Sequence, residues 1–176
     1  MTRLPDRVKA EKHAAELLER LAVRTIPVPV EEIAASLGVK LVHESLDPTV
    51  SGLLLREGGT KLIAVNSGHH RRRQRFTVAH ELGHLQMHKG EYIVDSTVRV
   101  NRRDGLSSMA TNDEEIEANA FAAALLMPRS LVHEAIGRLR ASQMANPARA
   151  TELLAEQFGV STEAMGYRLI NLGLSS

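Results

Sequence analysis

The chain contains no cysteine and no tryptophan among its 176 residues. Without cysteine there are no disulfides, no thiolate nucleophile and no Cys-ligated zinc or iron–sulfur cluster, a pattern that fits a reducing compartment. Three phenylalanines and two tyrosines are the only aromatic side chains, too few for a platform that stacks single-stranded bases. Charge of one sign is missing too: 22 basic against 21 acidic residues leave +1, so no overall field draws the chain to nucleic acid or an anionic membrane. The longest apolar run, at 121–127, falls far short of the roughly 18 residues of a membrane helix. Residues 1–12 show no apolar leader core or small-residue cleavage site, and the expectation is a cytoplasmic protein. What is present is ordinary globular composition, 43% hydrophobic and 24% charged, at a length suited to one domain that buries roughly 70% of its unfolded surface.

Apolar spacing predicts a helix over 6–22, ended by Pro27 and Pro29, and a short helix over 30–37 stopped by Gly38. Three strands follow at 39–43, 52–56 and 61–65. The last two flank Gly58-Gly59, the composition of a tight hairpin, so a small antiparallel sheet is expected. A long helix is predicted over 67–89, capped by Asn66 or Ser67 and closed by Gly90, then a strand within 92–100 and a polar loop at 101–111. Thr111-x-x-Glu114 has capping-box spacing and opens a helix that Pro128 ends. Ser130 caps the next, to about residue 141, Asn146-Pro147 marks a break, and helices over 148–158 and 161–172 finish with Gly159 and Gly173 as stops. The fold class is α+β, read as one domain over 1–176. Its parts are an N-terminal helix with a proline-rich connection (1–28), a sheet with two functional helices (29–128), and C-terminal helices with a helix-turn-helix-like tail (129–176).

His80-Glu81-Leu82-Gly83-His84 lies inside the long helix. Residues i and i+4 are about 40° apart around the axis and one turn apart along it, so two imidazoles can reach one metal. Glu81 projects about 100° away, beside the ligands, the arrangement of a zinc hydrolase with a carboxylate next to the metal-bound water. Chance produces this pattern in roughly 3% of such chains, and two solvated histidines on a charged face would look the same. Gly83 bears on that choice. It costs about 1 kcal/mol in a helix interior, and its lack of a side chain suits close approach of a second backbone, which a third ligand requires.

Two sources of that ligand stand open. His88 lies about 12 Å along the axis from His80, too far for all three to chelate one ion, which makes it a neighbour of the site or a surface residue. The acidic cluster Asp113, Glu114, Glu115 and Glu117 is the better source. Glu115, Ala118, Asn119, Ala122 and Leu126 share one face, so Glu115 can face the metal while its helix packs beside Gly83. Glu114 is explained as a cap and Glu117 points elsewhere, while acids in a first helical turn would also suit the helix dipole without any metal. On this reading Glu115→Ala lowers zinc content sharply and Glu117→Ala does not.

The stretches at 75–88 (RFTVAHELGHLQMH) and 115–128 (EIEANAFAAALLMP) resemble the ImmA/IrrE family of metallopeptidases, with further agreement at 29–38, Ser51-Gly52, and from Val160-Ser161 through Tyr167-Arg168-Leu169 to Leu172-Gly173. The resemblance covers about residues 29–174. It implies a zincin-like fold with a small sheet beside the active-site helix, one zinc ion on His80, His84 and Glu115, and Glu81 as the general base. It also implies a cytoplasmic endopeptidase that cleaves a helix-turn-helix repressor and so releases genes of stress response, DNA repair or mobile-element transfer. No fused DNA-binding module or C-terminal sensor domain is seen in this sequence.

For the chemistry, a second electrophile is expected from Tyr167, Arg168, His88 or Tyr92, with Tyr167 ranked first. The strand at 61–65 precedes the metal helix, and its free edge is expected to pair an extended substrate. Arg71-Arg72-Arg73-Gln74-Arg75 winds around more than one turn and makes no single basic stripe. The helix-turn-helix-like tail offers Arg168 and Asn171 but little other basic character, so direct nucleic-acid binding is not expected. A catalytically silent zincin that binds a protein partner or DNA is the alternative function. A structural-metal domain is disfavoured because it gives Glu81 no role.

Overall fold

The computed structural model describes residues 5–89, 92–96 and 105–174, with the backbone alone for 92–96 and 105–111. Helix α1 (Arg7–Arg20) starts where the Asp6 carboxylate accepts the Lys9 amide at 2.8 Å, satisfying one of the donors a helix leaves open at its first turn. Its buried stripe is Ala10, Ala14, Leu17 and Leu18, while Val8 is exposed. Helix α2 (Val30–Ser36) follows the prolines, and Gly38 after it takes φ +71°.

Strands β1 (Val39–Glu44), β2 (Val50–Glu57), β3 (Thr60–Asn66) and β4 (Tyr92–Ser96) form a sheet in the order β1-β3-β2-β4. The β2–β3 hairpin turns at Gly58 and Gly59, both at positive φ, where any side chain would be strained. The sheet is mixed rather than antiparallel, because β1 pairs with β3 in parallel while β2 pairs antiparallel with β3 and β4. The connection after β1 crosses over β3, and buried Asn66 anchors it by donating to the carbonyls of Asp47 (3.0 Å) and Val50 (2.8 Å). In consequence β3 is an interior strand paired on both sides, and the free edge expected at 61–65 does not exist. The edges are β1 and β4.

Helix α3 (Arg71–Met87) lies across the sheet, packed on β2 and β3 on one side and on α4 (Gly105–Leu126) on the other. Residues Thr77 to His84 are all buried, so both faces are covered. The core joins Leu54 and Ile63 of the sheet, Val78 and Leu82 of α3, and Phe121 and Leu125 of α4. The α3 cap is His70, whose Nδ1 accepts the Arg72 amide at 3.2 Å, in place of Asn66 or Ser67. Its arginines disperse: Arg71 pairs with Glu31, Arg73 donates to Ser51, and Arg75 donates to the carbonyls of Val28 and Gly159.

Because α4 begins at Gly105, Thr111 lies inside the helix and the capping-box reading falls, as does the polar loop over 105–111. The expectations for Gly90, for the strand beyond Ser96 and for loop residues 101–104 lie outside the described residues. Pro128, not Ser130, is the N-cap of α5 (Arg129–Gly137). A short α6 (Ala141–Met144) precedes α7 (Pro147–Phe158), which Asn146 caps; Gly159 at φ +65° turns the chain into α8 (Thr162–Asn171), capped by Ser161. Among the described residues no helix is long and apolar enough to cross a membrane.

Candidate metal centre

Gly83 is where α4 meets the middle of α3. A Cβ built on it would lie 3.1 Å from the Ala118 Cα and 3.2 Å from the Ala118 carbonyl oxygen, closer than a side chain fits without displacing backbone. That approach brings Glu115, one turn before Ala118, over the two histidines. The three side chains make a triangle in which the carboxylate turns a different oxygen to each ring: His80 Nε2 to His84 Nε2 is 3.1 Å, His80 Nε2 to Glu115 Oε2 3.2 Å, and His84 Nε2 to Glu115 Oε1 3.1 Å. A tetrahedral ion with bonds of about 2.0–2.1 Å holds its ligand atoms about 3.3 Å apart. These separations therefore match the spacing of ligand atoms around such an ion. Among the described residues, these three form the group that could hold a metal ion.

The surroundings set the protonation states a metal requires. His80 and His84 are 3% and 1% exposed, which removes the reading of two solvated histidines on a charged face. Burial lowers the His84 pKa, opposed by its hydrogen bond with Glu115, so the ring is kept neutral. Burial pushes the Glu115 carboxyl up, but hydrogen bonds from His80 and His84 outweigh it and hold the group well below the ordinary carboxylate range. Glu115 is thus an anion facing the neutral ring of His84. Three turns of α4 precede it, so an acid complementing a helix start no longer accounts for it.

Glu81 is fully buried. Its carboxylate lies against β2 at Gly52, where an added Cβ would be 3.4 Å from Oε1 and 2.5 Å from the Thr77 Cγ2. Gly52 thereby lets α3 sit directly on the sheet with Glu81 between them.

Of the electrophile candidates, Tyr167 and Arg168 fall elsewhere. Tyr167 is 62% exposed on α8, which packs on α7. Arg168 is buried under the end of α4, donating to the Met127 carbonyl at 3.0 Å and to Glu11 at 2.7 Å. The Tyr92 side chain lies outside the described residues. His88 is buried beside the site, its Nδ1 3.0 Å from the Nδ1 of His84 and its Nε2 3.0 Å from Glu117 Oε2. Sequence reasoning set Glu117 aside as pointing elsewhere and gave Asn119 no role. Asn119 Oδ1 lies 3.0 Å from His80 Nδ1, and its signal was its place on the Glu115 face of α4. Glu114 is set across from Arg56, whose pKa its charge raises against the lowering effect of burial.

The model of the peptidase M78 family, the IrrE N-terminal-like domain, matches residues 34–170. Among curated proteins, "Uncharacterized immunity region protein 2" of Bacillus phage phi105 is 27% identical over 103 residues, 58% of this chain and 61% of that protein. Among solved structures, a Mycobacterium tuberculosis transcriptional regulator matches with a TM-score of 0.59 at 21% identity, over 92% of this chain and 46% of that one. The chain spans less than two thirds of either relative, and the structural likeness speaks for the fold alone.

Proposed function

The chain belongs to the peptidase M78 family of IrrE N-terminal-like domains, and from that membership we propose that it is a zinc-dependent endopeptidase hydrolysing a peptide bond in a protein partner. The observation that carries this reading is the donor triangle of His80, His84 and Glu115 with the buried carboxylate of Glu81 on the adjoining residue. A purely structural zinc site would be closed by four protein donors, and among the described residues three converge.

His80 and His84 present neutral Nε2 lone pairs and Glu115 supplies one negative charge, a donor set that suits zinc. When bound, the ion supplies Lewis acidity toward water and the substrate carbonyl. Glu81 accepts the proton of the attacking water and returns it to the departing amine, so one water is consumed as the C–N bond breaks. Burial between α3 and β2 keeps that carboxylate away from bulk solvent.

The partner we assign is a helix-turn-helix repressor in the cytoplasm. Similarity to a protein named for a phage immunity region, and to one named as a transcriptional regulator, supports that context. The tail α7–α8 gives little support to DNA binding by this chain, since the Arg168 it would offer is buried. The test is co-expression with the repressor encoded beside it, followed by mass spectrometry of fragments. Glu81→Gln is expected to keep one zinc while lowering cleavage about 10²–10⁴-fold. Undiminished cleavage by that variant would remove Glu81 as the base. A wild-type protein that holds zinc and binds the repressor without cutting it would favour the silent zincin instead.

A further inference from the structure

We propose that His88 and Glu117 are positioning residues for the metal centre, forming with His84 a buried relay that orients this ligand and tightens the hold on the ion. The proposal rests on the reading of His80, His84 and Glu115 as metal ligands.

With an ion on His84 Nε2, the geometry leaves one arrangement of protons. His84 turns Nε2 toward the donor triangle, and to hold a metal that nitrogen must give up its hydrogen, leaving the lone pair on Nε2 and the hydrogen of the neutral ring on Nδ1. His84 Nδ1–H therefore donates to His88 Nδ1 at 3.0 Å. His88 must then carry its hydrogen on Nε2, which donates to Glu117 Oε2 at 3.0 Å. The other carboxylate oxygen of Glu117 accepts the Asp6 backbone amide at 2.8 Å. Every donor meets one acceptor, and the chain ends on a negative charge.

The His88 backbone is held as well. Arg56 on β2 donates to the carbonyls of His88 (2.8 Å) and His84 (3.2 Å), clamping the end of α3 where His88 leaves the helix in extended conformation. A carboxylate partnering a metal-binding histidine is a recurrent way to fix its tautomer and raise its basicity. Here a second imidazole is interposed.

A merely structural role accounts poorly for the pair. Glu117 is 7% exposed, and a buried carboxylate costs stability that a well-packed apolar residue would not. A dication held by His80, His84 and Glu115 would favour that carboxylate's charge, acting through the two rings between them. On α4, Glu117 was expected to leave zinc content untouched. The relay reverses that expectation.

The experiment measures zinc affinity by competition with a chromophoric chelator, and the visible spectrum of the cobalt-substituted protein, for wild type, Glu117→Gln and His88→Gln. Thermal melts in excess chelator report the zinc-free fold. Both variants are expected to fold without metal and to bind zinc about 10–100-fold more weakly, with shifted cobalt bands. Wild-type affinity and an unchanged cobalt spectrum in either folded variant would overturn the relay while leaving the metal centre standing. Failure of both variants to fold would overturn it as well, by making the pair structural. If the wild type itself binds no zinc, the metal-centre reading falls and the relay falls with it.

Discussion

Glu115 sits under opposed forces: burial disfavours its charge, while hydrogen bonds from His80 and His84 favour it more strongly. On the proposed function, removing it deletes a ligand outright. Glu115→Ala is expected to weaken zinc binding by more than about 100-fold, beyond what loss of a supporting residue costs, as read by metal content after dialysis. The same groups set the response of the zinc-free protein to acid. His84 has its pKa lowered from 6.5 and Glu115 from 4.5, so the unfolded chain takes up protons in the acid range that the folded chain refuses. Stability therefore falls as pH drops below about 6.5 through His84, and again below about 4.5 through Glu115. A urea midpoint that stays level or rises from pH 7 to pH 4 would contradict these assignments.

Among the elements, the α3–α4 crossing decides the site. Gly83→Ala removes a helix-interior glycine, a gain of about 1 kcal/mol, but forces a methyl group against the Ala118 backbone 3.1 Å away. Backbone cannot yield as a flexible side chain would, so overpacking of roughly 1–3 kcal/mol is expected to win. The variant should show a lower urea midpoint and, because α4 is pushed outward, weaker zinc binding. An unchanged midpoint would mean that the two helices cross less tightly than described. Strand order works at the same scale: alternation and Gly58-Gly59 made the hairpin readable, whereas the parallel pairing of β1 with β3 depends on a crossover that leaves no local pattern.

Across the whole molecule, α1 lies before the matched residues 34–170 and yet is built into the core through Ala10, Ala14 and Leu17. Among the described residues, two polar ties near its start join it to the rest of the chain. The Asp6 amide meets Glu117, and Glu11 meets Arg168, 157 residues away in sequence. Arg168 is 3% exposed and holds the Met127 carbonyl as well, so Arg168→Met leaves that carbonyl and part of Glu11 without their donor. A loss of about 2–4 kcal/mol in urea unfolding is expected, with zinc stoichiometry unchanged. Reduced zinc content in the folded variant would show that this tie reaches the metal centre.

His80, Glu81 and His84 were legible from spacing alone, because a helix is a local object whose 3.6-residue period places i and i+4 side by side whatever surrounds it. Glu115 was legible in outline, since Gly83 announced a close neighbour and the face of α4 named the candidate. The start of α4 at Gly105, the enclosed position of β3 and the pairing of His88 with Glu117 were not. Each depends on which segments meet across the core, and such meetings are governed by packing between residues far apart in the chain. Local periodicity determined what this protein could use as ligands; the crossing of two helices over a mixed sheet decided which ones converge.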